Sequence, residues 1–73
     1  MLKLDAAEAY LGLDDIDIKV IEQELWELRN SVNRLKRNMR HQFFLEDKKT
    51  ITLVVYWDDK EVKRYRFQNK GSL

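Results

Sequence analysis

Apolar residues recur alternately three and four positions apart at Ile18, Ile21, Leu25, Leu28, Val32, Leu35 and Met39, with polar Gln42 at the next step. That period belongs to an α-helix with one apolar seam, and it is the spacing at which one helix meets another. No Pro or Gly interrupts the chain between Leu13 and Gly71, so the backbone carries no break signal. Asp14 and Asp15 are placed to cap the helix start, and the apolar pattern persists to about Leu45. Acidic Asp17, Glu22, Glu24 and Glu27 fall in the first half and Arg34, Lys36, Arg37, Arg40 and His41 in the second, which complements the helix dipole.

A helix of about 30 residues is roughly 45 Å long. A compact globule made from 73 residues has a diameter near 30 Å on the usual size scaling. The helix therefore outruns the globule, and the seam is expected to need a second subunit. Ile18, Ile21, Leu25, Leu28, Val32, Leu35 and Met39 are the expected homodimer interface. With Ile18 at position a, Glu24 and Arg29 take g and e positions that suit parallel chains. An antiparallel pair sets the acidic half of each helix against the basic half of the other and matches more charges, so it is favoured. The competing reading is a helix lying on its own sheet, since that also needs one apolar face.

Two shorter segments flank the helix. Asp5 followed three residues on by Glu8 forms a variant capping box, and Gly12 reads as a left-handed stop, giving a first helix over 6–11. After turn-prone Glu46-Asp47-Lys48-Lys49 the period changes to that of strands at 50–57 and 62–68, with a turn at Asp58-Asp59-Lys60. A two-residue loop at Asp59-Lys60 would set Leu53 opposite Arg66. A three-residue loop pairs Ile51 with Phe67, Leu53 with Tyr65 and Val55 with Lys63, collecting one apolar face. The odd loop is favoured, although its third residue, Lys60, is poorly suited to a left-handed conformation.

The resulting fold class is α+β: a short N-terminal helix, a long amphipathic helix and a C-terminal antiparallel β-hairpin (ααββ), with the helices packed on the hairpin sheet, as a homodimer. Phe43-Phe44-Leu45, apolar nearly all round, is where helix, hairpin and partner are expected to meet. Ile16 and Val20 lie together off the seam, and Trp26 sits beside Leu25.

A domain this small buries only about 60% of its unfolded surface, so disulfides, metals or a partner commonly stabilise it. The chain has no Cys and one His, His41, which excludes a disulfide framework and any thiolate metal site. Fourteen Lys and Arg stand against thirteen Asp and Glu, without the basic excess of a general nucleic-acid clamp. No apolar stretch approaches the roughly 20 residues that span a bilayer, and the N-terminus lacks a signal-peptide core, so a soluble cytoplasmic protein is expected.

No nucleophile constellation, glycine loop or cofactor motif is recognisable, and no catalytic, cofactor-binding or metal-binding residue is assigned. His41 with Glu46 or Asp47 suggests an acid/base pair, but a helix-terminal His is more commonly a surface or capping group. Asp14, Asp15 and Asp17 lack the Gly and closing Glu of a calcium loop and read as caps, while Asp58-Asp59 reads as a turn. The expected function is thus a non-enzymatic, homo-oligomerising structural or interaction domain. Its candidate partner face is Val54, Tyr56 and Val62 on the outer side of the hairpin, with the Thr-bearing first hairpin strand as contact edge. The alternative is a small nucleic-acid-binding or phage/plasmid-type regulatory protein. There Arg34, Lys36, Arg37 and Arg40, with Lys60, Lys63, Arg64, Arg66 and Lys70 beside Tyr56, Trp57 and Tyr65, would form the binding surface.

The opening Leu4-Asp5-Ala6-Ala7-Glu8-Ala9-Tyr10-Leu11 followed by Asp14-Asp15 is similar to the start of small helical phage head-to-tail connector proteins. The resemblance covers the first quarter of the chain, the strand-rich C-terminus departs from that all-helical family, and no function is carried across. Residues 1–70 read as one domain, with 71–73, Gly-Ser-Leu, as a tag-linker remnant. The absence of Cys and Pro and the agreement of local signals fit an engineered or de novo designed scaffold. Asn30, Asn33 and Asn38, weak helix formers, fit a natural sequence better. Both origins stay open.

Overall fold

The computed structural model describes residues 1–71, so Ser72 and Leu73 of the expected linker remnant lie outside the described residues. The elements run β1 (Leu2–Leu4), α1 (Ala6–Leu11), α2 (Asp15–Leu35), β2 (Met39–Asp47), β3 (Thr50–Trp57) and β4 (Lys60–Gln68). The four strands form one antiparallel sheet in chain order, β1-β2-β3-β4. The α+β class stands, but the order is β-α-α-β-β-β rather than ααββ, and the hairpin is part of a larger sheet.

The helix boundaries show why. Asp5 accepts from the Glu8 amide at 2.8 Å and Glu8 returns the bond to the Asp5 amide at 3.1 Å, so the capping box opens α1 as expected. Gly12 ends it in a right-handed conformation, φ −93°, not the expected left-handed one. Asp14 then caps α2 by accepting from the Asp17 amide at 2.8 Å. The long helix stops at Leu35, because Lys36 takes the left-handed conformation at φ 56° and returns its N–H to Asn33 and Val32. From Met39 the chain is a strand. Met39 and Phe43 are four apart and fit either period, but Met39, His41, Phe43 and Leu45 also alternate with Arg40, Gln42 and Phe44, and that strand period prevails.

The strand register agrees with the sequence. Ile51 lies opposite Phe67, Leu53 opposite Tyr65 and Val55 opposite Lys63. The device differs from the expected three-residue loop. Asp58 and Asp59 form a two-residue turn with φ of 49° and 67°, the positive values that a type I′ hairpin requires. The pairing then shifts between Val55 and Tyr56, since Tyr56 faces Glu61 while Val55 faces Lys63 and Val62 is extra. The bulge restores the apolar face and relieves Lys60 of any left-handed strain.

α2 lies across one face of the sheet. Its 21 residues make a rod of about 32 Å at 1.5 Å per residue, and a nine-residue strand spans about 30 Å. Helix and sheet therefore match in length, and the excess that made a second subunit necessary is gone. The core joins Leu4, Ala9, Leu13, Ile21, Phe43, Ile51, Leu53 and Val55, with Ile18, Leu25, Leu28, Tyr65 and Phe67 packed around it.

Candidate functional site

The seam of α2 turns inward. Ile21 and Val32 are buried, Ile18, Leu25 and Leu28 are half-buried, and Met39 lies on β2 beside the same core. Leu35, just before the helix ends, is exposed. From Ile18 to Leu28 the three-four spacing thus marks a helix-on-sheet contact within one chain, the competing reading of the same pattern.

The proposed outer hairpin face is also rearranged. Val54 is fully buried between Gln42 on β2 and Arg64 on β4, so its side chain offers nothing to a partner. Tyr56 is half-buried with the Arg40 guanidinium 5.8 Å from its ring centroid. Only Val62, the bulged residue, is exposed. β3, expected as the contact edge, is an inner strand paired on both sides, and the edge on the hairpin side is β4. Lys60, Glu61, Lys63, Arg64 and Arg66 along β4 discourage strand addition there.

The arginines that suggested nucleic acid stand beside carboxylates. Arg64 bonds Glu61 at 2.7 Å, Arg66 bonds Glu46 at 3.1 Å, Arg40 bonds Asp59 at 2.5 Å, and Arg37 lies 4.0 Å from Asp58. Arg64 holds the Glu61 carboxyl below the usual range. Arg34 and Lys36 are exposed at the end of α2.

The remaining candidates behave as caps and turn residues. Asp14 accepts from Lys70 Nζ at 2.6 Å as well as from its own helix, and these bonds lower its pKa. The Lys70 amide also donates to the Gly12 carbonyl, which ties the chain's end to the α1–α2 turn. Gly71 comes so close to this turn that a Cβ there would overlap the Leu11 carbonyl oxygen. His41 shows no pairing with Glu46 or Asp47. Glu46 receives Arg66, Asp47 accepts the Lys49 amide, and the imidazole sits edge-on to Phe43, which in turn meets Tyr10 edge-on. Burial, then the nearby Arg29 charge, pushes the His41 pKa down. Among the described residues no three His, Cys, Asp or Glu side chains gather as a metal site, and no helix is long and apolar enough to cross a membrane.

One surface fits none of these roles. On the side of α2 turned away from the sheet, Ile16 is 73% exposed, Trp26 63% and Val20 44%. Lys19, Glu22, Gln23 and Trp26 line a shallow depression on it. Gln23 donates its amide to Glu27 at 2.8 Å across the same surface. The signal was present in the sequence as apolar residues off the main seam.

No family model, curated protein or solved structure matches the chain. The four-stranded sheet sets the fold apart from the all-helical connector family that the opening residues resemble.

Proposed function

We propose that this chain is a non-enzymatic interaction domain that associates with itself, using the outer face of α2 and not the seam. The observation that carries the proposal is the exposure of Ile16, Val20 and Trp26 on a helix whose other face is already covered by its own sheet. Single exposed apolar residues are ordinary on any protein, but here Ile16, Val20 and Trp26 all stand on the outward half of one helix, Val20 and Trp26 on its two flanks, and an exposed Trp is a common anchor of contact surfaces. An interface one helix wide is small, so the association is reversible and depends on concentration.

Sedimentation velocity over a hundredfold range of concentration tests this. The expected result is a weight-average mass that rises from one chain toward two. A mass that stays at one chain at the highest concentration rejects the proposal. The nucleic-acid alternative has weaker support, because four of its arginines are matched by Glu46, Asp58, Asp59 and Glu61. Phosphate-driven binding is strongest at low salt, so a titration there separates the two readings.

A further inference from the structure

We infer that two copies pair through the outer faces of α2 in an antiparallel arrangement, on a twofold axis at Gln23, each inserting Trp26 into the depression on the other. This inference rests on the self-association proposed above and adds its geometry. Around the helix, at about 100° per residue, Lys19 and Trp26 fall on one flank of Gln23, at about 40° and 60°. Val20 and Glu27 fall on the other flank by the same angles.

An antiparallel twofold axis brings residues equally far before and after Gln23 to one level and sets each flank against the same flank of the second copy. Trp26 of one copy then arrives at the level of Val20 on the flank that carries Lys19 and Glu22. That position is between Lys19 and Glu22, at one end of the depression that Lys19, Glu22, Gln23 and Trp26 line. Lys19 comes level with Glu27 of the second copy, diagonally across the pair because the two lie on opposite flanks, so opposite charges approach twice about the axis. The Lys19 ammonium also borders the incoming indole, a favourable cation–π placement.

A parallel pair does the reverse. It brings Lys19 level with Lys19 and Glu27 level with Glu27, again diagonally, so like charges approach, and carries each Trp26 to the flank away from the depression. Both the charges and the shape of the face therefore select the antiparallel pair, and the surface is self-complementary as a twofold interface must be.

The lack of any native cysteine allows a direct test with single-cysteine variants at three exposed positions, oxidised under mild conditions after circular dichroism has confirmed helicity. Gln23→Cys, on the axis, is expected to form a covalent dimer, because only there do identical residues approach within disulfide reach. Ile16→Cys and Asn30→Cys are each expected to remain unlinked alone and to form a mixed disulfide when combined. Self-linking of Ile16→Cys and of Asn30→Cys would show a parallel pair and overturn the inference. So would a Gln23→Cys thiol that stays free while sedimentation still reports a dimer, and in that case self-association survives on another surface. With the face correct, Trp26→Ala weakens association about thirtyfold, the loss usual for a buried aromatic anchor.

Discussion

Thr52 is fully buried on β3 between Phe44 and Arg66, and its hydroxyl has no hydrogen-bond partner among the described residues. A buried hydroxyl without a partner costs about 1–3 kcal/mol, and Val has nearly the same shape. Thr52→Val is therefore expected to stabilise the fold by about 1 kcal/mol, read as a higher urea midpoint at an unchanged slope. His41 contributes in the opposite sense when protonated. Its folded pKa lies below its ordinary value, because burial and Arg29 disfavour the imidazolium. In the window between the two values the unfolded chain binds more protons, so stability rises with pH there. Stability is expected to be full above about pH 6.5 and to decline as pH falls through that window. Urea midpoints measured between about pH 7.5 and 5.5 check this, and His41→Gln should remove the slope. The lowered pKa values of Asp14 and Glu61 give a contribution to stability that is present at neutral pH and is lost as pH falls from the usual carboxylate range through the lowered values.

At the scale of elements, the end of α2 turns on one residue. Lys36 occupies a left-handed position for which Gly is the natural occupant, and its side chain is exposed. Lys36→Gly is expected to raise stability by about 1 kcal/mol by removing Cβ strain, measurable as a rise in melting temperature. The same residue explains why the helix end was not legible. A lysine gives no stop signal, and the Met39–Phe43 spacing continued the helical pattern past it. The capping carboxylates Asp5 and Asp14 were legible because a side-chain oxygen at a helix start has one local task. The β3–β4 register was legible because one register alone gathers Ile51, Leu53, Phe67 and Tyr65 on a single face. The bulge that produces that register was not, since an extra residue at Val62 and a three-residue loop give the same offset. β1 was missed for another reason. Three residues with two leucines carry too little periodicity to announce a strand.

At the scale of the molecule, the extents of 38 × 24 × 16 Å describe two layers, a sheet with α2 on one face. Two layers leave the far side of the helix without a neighbour among the described residues, and Ile16, Val20 and Trp26 stand exposed there among Lys19, Glu22, Gln23 and Glu27. The seam from Ile18 to Leu28 packs on the chain's own sheet because the helix ends at Leu35, and that end follows from the left-handed conformation of Lys36, which no sequence signal announces. The outer face, with exposed Ile16, Val20 and Trp26, is where we propose that self-association occurs.

The placement of β1 also fixes an order of events. β2, β3 and β4 join through two tight turns, so their pairing is local and forms early. Leu4 reaches Phe43 only by closing a loop that contains both helices, and the entropy of that closure falls on a strand of three residues. The N-terminal strand is thus expected to lock last and release first. Until it locks, the backbone groups of Phe43 to Leu45 stand unpaired along one side of β2. The interval most exposed to misassembly therefore comes late in folding, when nearly all of the native structure is already in place.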